Sequence, residues 1–266
     1  MADEFLLYLK AKIKDRLIIS FNNTDLLLWG TRTENDVKLL GLTLNIGTRN
    51  LRTFKGKIAD PENQITNVIE IAHSLSGTSD STFFAIVYSL SGDDYFVVTD
   101  PRDPTDWAKS FEAKEAKMPA HIQTFFRTKL KTKGTAKAVN KATSDWFHAW
   151  ARANLPLEYV RVNIDGLILD KGQRPSILLE TKRSFYNVDS WQPWQADARN
   201  YYLQSLLAKK SGLRFWTVYH KKGITVNDKT RIALFIISKV SLDAIKWITY
   251  RRIDTNACKV LNWIDE

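Results

Sequence analysis

The sequence predicts an α/β protein in which a mixed central sheet is flanked by helices and preceded by an N-terminal α+β module. Short apolar runs typical of strands alternate with amphipathic segments typical of helices along most of the 266 residues. The composition changes at residues 100–104, where two prolines and three charged residues indicate a boundary. We therefore expect an N-terminal module over residues 1–105, a basic connector over 106–134 and a second domain over 135–266.

The N-terminal module combines both types of element. Helices are predicted from helical spacing of apolar residues and from an early proline, and strands from short apolar runs. The expected helices are 5–16 and 61–72, and the expected strands are 17–21, 25–29, 37–46, 81–90 and 95–99. The last two strands flank a Ser-Gly-Asp-Asp turn and predict a hairpin. We find no catalytic pattern in this module and interpret His73 as a helix-end residue.

The connector contains the longest run of one charge sign in the chain. A helix is predicted over residues 107–118, and no acidic residue then occurs between Arg127 and Asp145. A basic strap that binds a phosphate backbone and a solvated hinge both fit this run equally well. In the first interpretation, its nucleic-acid contacts are Lys129, Lys131, Lys133 and Lys137.

The C-terminal domain is predicted from apolar periodicity and from turn residues. Its expected helices are 135–153, 193–210 and 242–248, and its expected strands are 160–165, 177–182, 213–220 and 230–238. Residues 169–175 form the loop of a hairpin between the first two strands. Gly212 is expected to end the second helix.

Three polar residues on this hairpin suggest chemistry. Glu180 and Lys182 are two apart on an apolar strand and therefore share a face, and Asp165 lies beside Glu180 if the strands pair in the expected register. Two carboxylates and the Thr181 carbonyl are hard oxygen ligands that suit Mg²⁺. The alternatives are a surface cross-strand pair without function, and Asp170 as the first ligand.

At these residues the chain resembles the PD-(D/E)xK nuclease superfamily, with its restriction-endonuclease-like fold. Asp165, Glu180, Thr181 and Lys182 match the motif, and Asn163-Ile164 stands where the motif has a proline before the aspartate. The resemblance implies hydrolysis of phosphodiesters with Mg²⁺ or Mn²⁺ as cofactor. Asp165 and Glu180 would be metal ligands, and Lys182 would be the catalytic lysine.

The resemblance extends to the flanking helices. The superfamily places a helix before the first active-site strand, often with an acidic residue directed at the metal, and Asp145 is the candidate for that position. The segment after Lys182 resembles the restriction-endonuclease-fold domains of bacterial polymorphic toxins, in which a helix glutamine accompanies the acidic pair. That similarity implies a catalytic role for Gln195. Arg199 and Lys221 are further candidates for phosphate contacts, and a charged surface is the competing interpretation.

The charge distribution favours a polyanionic partner. The net charge is +10, and residues 1–110 carry 12 Lys/Arg against 15 Asp/Glu, so the remaining residues carry a net charge of +13. We expect DNA as the partner and leave RNA open. The single Cys258 allows no disulfide within the chain, the first residues are acidic, and no apolar run is long enough for a membrane span. These features favour a cytoplasmic protein without a membrane partner.

The sequence therefore predicts a metal-dependent deoxyribonuclease, an endonuclease of defence, restriction or toxin systems. Cutting both strands would favour a homodimer. The alternative is a non-catalytic DNA-binding or sensor protein with a degenerate nuclease fold.

Overall fold

The computed structural model describes residues 3–19, 24–33, 36–49, 51, 54, 64–91, 94–109, 113–114, 118–127, 146–221, 229–243 and 246–265. These residues form a mixed α/β protein with two mixed sheets and seven α-helices. Lys129, Lys131, Lys133 and Lys137 of the predicted strap, and Asp145, lie outside the described residues. Among the described residues, no helix combines the length and apolar composition needed to cross a membrane.

The chain forms two compact units, and the first is discontinuous in sequence. It consists of residues 1–20 and 164–266, whereas residues 21–163 form the second unit. This division differs from the segments 1–105, 106–134 and 135–266 that the sequence suggests. The difference arises because strand Leu17–Ile19 pairs with strand Gly166–Leu169, a long-range contact that local patterns do not reveal.

The first unit contains one six-stranded sheet, in the order β1-β8-β9-β10-β11-β12. Its strands are β1 (Leu17–Ile19), β8 (Gly166–Leu169), β9 (Pro175–Ser184), β10 (Arg214–Lys221), β11 (Arg231–Ser241) and β12 (Trp247–Asn256). Neighbouring strands are antiparallel except β9 and β10, which are parallel. The parallel pair requires a crossover, and the helix between the two strands provides it.

Three helices belong to this unit: α1 (Glu4–Lys12), α6 (Ala198–Ser211) and α7 (Ala257–Ile264). Phe5 and Leu9 of α1 and Val260 of α7 pack with Leu179 and Trp216 of the sheet in one core. Helix α6 ends at Gly212, which adopts the left-handed conformation with φ of 68°. The predicted glycine stop of this helix is thus confirmed.

The second unit has its own sheet, in the order β6-β5-β4-β3-β2-β7, and its own aromatic core. Its strands are β2 (Thr24–Arg32), β3 (Val37–Thr48), β4 (Thr82–Ser89), β5 (Asp94–Val98), β6 (Ala113–Lys114) and β7 (Tyr159–Asn163). Its helices are α2 (Gln64–Ser79), α3 (Pro104–Lys109), α4 (Met118–Phe125) and α5 (Trp146–Asn154). The predicted hairpin of β4 and β5 is confirmed.

Three segments differ from the prediction. The segment 160–165 is not one strand: β7 pairs with β2 of the second unit, and β8 is the strand that forms the hairpin with β9. The helix predicted at 107–118 is replaced by α3, β6 and the start of α4. The helix predicted at 242–248 is wrong because β12 begins at Trp247, in a run rich in β-branched and aromatic residues.

Candidate active site

Asp165 and Glu180 come together because β8 and β9 form an antiparallel pair. Gly166 is the partner of Leu179 in this pair, so the preceding Asp165 reaches the position beside Glu180. Glu180 is 7% exposed, and Asp165 is half-buried. The Glu180 charge acts on Asp165 and raises its pKa, so the two acidic residues lie near each other at the end of β8.

Thr181 holds the Asp165 carboxylate. Asp165 Oδ2 accepts a hydrogen bond of 2.8 Å from the Thr181 main-chain nitrogen and one of 3.2 Å from Thr181 Oγ1. Burial raises the pKa of Asp165 well above its usual range, and the Glu180 carboxylate raises it further. The Thr181 amide and the Lys182 ammonium lower this pKa, but they do not cancel the two larger effects. Asp165 is therefore a carboxyl group for which a nearby cation would favour ionisation.

Both oxygens of Glu180 accept hydrogen bonds from the protein. Lys182 Nζ lies 2.6 Å from Glu180 Oε1, and Gln204 Nε2 donates to Glu180 Oε2 over 2.7 Å. Burial, the largest single effect, lowers the pKa of Lys182, but the charge and hydrogen bond of Glu180 together with Tyr201 and Asp165 outweigh it, so the pKa is raised. Lys182 is therefore a fixed ammonium group, suited to orienting a ligand and offsetting negative charge, and it is a poor proton acceptor at neutral pH.

Helix α6 forms the floor beneath this ion pair. Tyr201 and Gln204 are both buried on the helix, and the Lys182 ammonium lies 6.0 Å from the centre of the Tyr201 ring. Burial raises the pKa of the Tyr201 phenol, so it is neutral at physiological pH. Gln204 Oε1 is buried and accepts no hydrogen bond from the described residues. This amide is thus a polar group held at the base of the site.

Gln204 is a functional candidate that the sequence analysis missed. It lies three residues after Tyr201 and four before Ala208, and all three are buried. A polar residue on the apolar face of a helix is the signal that could have revealed it. Gln195, which was predicted to accompany the acidic pair, is exposed in a short 3₁₀ segment (Gln195–Asp197) before the helix.

The other predicted residues are more peripheral. Arg199 is half-buried in the first turn of α6, and Lys221 is exposed at the end of β10. Asp170 accepts hydrogen bonds from the main-chain nitrogens of Gly172 and Arg174, and those bonds lower its pKa. The alternative metal ligand thus organises the β8–β9 turn.

A second polar group lies at the start of α1. Asp3 caps the helix, since its Oδ1 accepts hydrogen bonds from the main-chain nitrogens of Phe5 (3.0 Å) and Leu6 (3.3 Å). The fully buried His220 of β10 places Nε2 3.0 Å from Asp3 Oδ2, and its Nδ1 lies 3.9 Å from Glu4 Oε2. The ligand atoms of these three residues lie within 4.8 Å of one another. The charge of Asp3 also raises the pKa of Asp165, so the two polar groups interact.

Comparisons with known proteins do not identify a family for this chain. No protein family and no curated protein matches it. A solved structure described as the sex pheromone staph-cAM373 precursor aligns over 92% of this chain and 89% of its own, with 8% identity and a TM-score of 0.19. Such a low TM-score carries no argument about fold or function.

Proposed function

We propose that the first unit is the catalytic domain of a Mg²⁺- or Mn²⁺-dependent deoxyribonuclease with a restriction-endonuclease-like fold. The observation that carries the proposal is the convergence of Asp165, Glu180 and Lys182 where β8 and β9 lie side by side. The flanking elements support it, because α1 precedes these strands and α6 follows them. That arrangement is the one implied by the resemblance to PD-(D/E)xK nucleases.

The donor set fits a hard divalent cation. Asp165 and Glu180 supply carboxylate oxygens, and the raised pKa of Asp165 reflects a repulsion that a cation would relieve. Thr181 would add its main-chain carbonyl, since the N–H and C=O of a strand residue face the same neighbour and its N–H points to Asp165. When bound, the ion would polarise a phosphate and lower the pKa of a water molecule.

The protein's own groups have separate roles in this proposal. Gln204 fixes Glu180, Glu180 fixes Lys182, and Thr181 holds Asp165, which reduces the reorganisation needed during reaction. Lys182, as a permanent ammonium, orients the attacking water and offsets negative charge that develops on the phosphate. The resemblance implies an acidic residue in the helix that precedes the active-site strands. In this proposal Asp3 and Glu4 at the start of α1 take that role, for which the sequence suggested Asp145.

DNA is the proposed substrate because of the charge distribution. The first unit, residues 1–20 and 164–266, carries 21 Lys/Arg against 13 Asp/Glu, so +8 of the net charge of +10 lies in the unit that contains the candidate site. Phosphate neutralisation by lysine and arginine supplies much of the affinity of nucleic-acid-binding proteins. The second candidate function is that of a non-catalytic DNA-binding or sensor protein. One observation favours it: Lys182 and Gln204 already bind both oxygens of Glu180, which a metal ion would need as ligands.

The test is cleavage of plasmid, linear duplex and single-stranded DNA by the purified full chain with Mg²⁺, Mn²⁺ or EDTA. We expect metal-dependent products from the wild type, and loss of cleavage with retained DNA binding for Asp165→Ala and Lys182→Ala. Asp170→Asn is the matched control, since it removes an acidic charge from the same hairpin, keeps an oxygen that can accept the turn hydrogen bonds, and should leave cleavage unchanged. Full cleavage by either site variant contradicts the proposal. DNA binding without any metal-dependent product supports the non-catalytic alternative.

A further inference from the structure

Exposed aromatic side chains cluster in the segment that follows Lys182. Five large apolar side chains are exposed among the described residues, and three of them lie between β9 and α6. These are Phe185 (73% exposed), Tyr186 (66%) and Trp194 (52%). Large exposed aromatic groups are costly in water, so their concentration in one ten-residue segment indicates an interaction surface. We call these three residues the aromatic platform.

The main chain beneath the platform is fixed by many contacts. Trp191 stacks on Tyr219 with ring centres 4.5 Å apart and planes inclined by 3°. The Tyr219 hydroxyl donates a hydrogen bond of 2.9 Å to the Tyr186 carbonyl. Arg252 donates to the carbonyls of Val188 and Trp191 over 2.9 and 3.0 Å. The exposure of the aromatic rings therefore does not result from a loosely held loop.

Tyr219, which donates a hydrogen bond to the Tyr186 carbonyl, places the aromatic platform beside the candidate active site. Tyr219 on β10 is the register partner of Lys182 on β9, and paired residues of parallel strands point to the same face. Tyr219 thus lies next to the lysine of the proposed site while it holds the Tyr186 carbonyl. Trp194 follows Trp191 by three residues, which span at most about 10 Å, so Trp194 stays close to the stacked Trp191.

Positive charge accompanies these rings. Lys221 is exposed at the end of β10, and its register partner is Ser184, the residue directly before Phe185. An exposed cation beside exposed aromatic rings is the combination that binds single-stranded nucleic acid, because bases stack on the rings while the cation contacts phosphate. A duplex hides its base faces and cannot use such rings without unstacking.

We propose that the aromatic platform binds unpaired bases, so that the substrate of this protein is single-stranded DNA or DNA with an unpaired segment. This inference rests on the proposed nuclease function for its substrate, but the binding surface is testable without cleavage. Bases stack on Phe185, Tyr186 and Trp194, and Lys221 contacts the adjoining phosphate. The stacked strand then leads to Asp165 and Lys182.

Binding in EDTA tests the inference separately from catalysis. Fluorescence anisotropy would be measured with a labelled 20-nucleotide oligo-dT and with a duplex of the same length. We expect the wild type to prefer the single strand, and Trp194→Ala and the double variant Phe185→Ala/Tyr186→Ala each to lose about tenfold or more in single-strand affinity. Trp194→Phe, which keeps a ring, should retain most of the affinity.

Leu7→Ala is the matched control, since Leu7 is another exposed apolar residue of the same unit, at 50% exposure. It should bind like the wild type, and circular dichroism should show equal folding for all variants. Unchanged single-strand affinity in the alanine variants, or equal losses for duplex and single strand, would overturn the inference. It would also be overturned if the wild type were a dimer that these substitutions convert to monomer, because the platform would then be an interface between copies.

The two proposals fail in different ways. If selective single-strand binding is observed without any metal-dependent product, the aromatic platform stands and the nuclease proposal does not. If cleavage depends on Asp165 and Lys182 but the alanine variants of the aromatic platform bind single strands normally, the nuclease proposal stands and the aromatic platform does not.

Discussion

The Gln204 side chain donates a hydrogen bond to Glu180 Oε2 over 2.7 Å and so connects helix α6 to the strand that carries the candidate site. The contact is fully buried on the glutamine side, where Gln204 is 1% exposed. A buried carboxylate such as that of Glu180 needs every group that donates a hydrogen bond to it. Together with the Lys182 ammonium on Oε1, Gln204 explains how a carboxylate is accommodated on a mostly apolar strand.

Gln204→Leu should destabilise the protein by about 2 kcal/mol, the usual cost of removing a hydrogen bond to a charged group. Urea unfolding measures this cost. A double-mutant cycle with Glu180→Gln should give a coupling energy of about 0.5 kcal/mol or more, because the two side chains are in direct contact. Gln195→Leu is the matched control, and as an exposed substitution it should change stability by less than about 0.5 kcal/mol. Additive effects of the two substitutions in the cycle would contradict the role given to Gln204.

Asp165→Asn should stabilise the protein at neutral pH. Because the pKa of Asp165 is raised in the folded state, the folded protein binds more protons than the unfolded chain between the usual aspartate pKa and the raised value. Stability due to this group is therefore present at low pH and falls as pH rises through that window. Asparagine never ionises, yet its amide oxygen can still accept the Thr181 hydrogen bonds.

The measurement is urea unfolding of wild type and Asp165→Asn from pH 4 to pH 8. The advantage of the variant should grow as pH rises. Asp170→Asn is the comparison: main-chain hydrogen bonds from Arg174 and Gly172 lower the pKa of Asp170, so its titration lies mostly below this range, and the difference between Asp170→Asn and wild type should stay nearly constant as pH rises to 8. A pH-independent difference between wild type and Asp165→Asn would show that Asp165 ionises normally.

Much of the hairpin could be predicted from local pattern. The apolar run before Glu180 predicts β9, and the Asp-Lys-Gly-Gln-Arg segment predicts the turn. The strand before the turn was misplaced because residues 159–169 are almost continuously strand-like. Within this run the chain changes sheets at residues 164–165, directly before Gly166, and the strand-like pattern continues on both sides of the change. Asp165 lies at that change, which explains why it ends next to β9 and not within β7.

The helix predicted at 5–16 is confirmed as α1 (Glu4–Lys12), but its place beside the candidate site could not be inferred from local pattern. Asp3 meets His220 across 217 residues of sequence, and no periodicity reports such a contact. The sequence instead suggested the segment 135–153 as the helix preceding the site, because that segment comes directly before the motif. The insertion of residues 21–163 between β1 and β8 separates α1 from the strands with which it packs.

Mg²⁺ should stabilise the folded protein through Asp165 and Glu180. An ion that binds only the folded state adds about 2.7 kcal/mol at a concentration one hundred times its Kd. Thermal unfolding with increasing MgCl₂ should show a rising Tm for the wild type, reversed by EDTA. The rise should be absent in Glu180→Gln and preserved in Asp170→Asn. Equal rises in wild type and Glu180→Gln would place the ion elsewhere on the protein.

Substitutions of Asp3 separate its capping role from its charge. Asp3→Ala removes the acceptor for the Phe5 and Leu6 main-chain nitrogens and should cost about 1 kcal/mol. Asp3→Asn keeps a good capping residue, so most of that stability should remain, while the charge near His220 and Asp165 is lost.

The lost charge has its own consequence for Asp165. Since the Asp3 carboxylate raises the pKa of Asp165, Asp3→Asn should lower that pKa, and carboxyl titration followed by NMR measures the change. Asp15→Asn is the matched control, because Asp15 lies after α1 in an exposed 3₁₀ turn and should leave the Asp165 titration unchanged. An Asp165 titration that is identical in wild type and Asp3→Asn would show that the two polar groups are independent. A shift to lower pH would make the start of α1 part of the electrostatics of the candidate site.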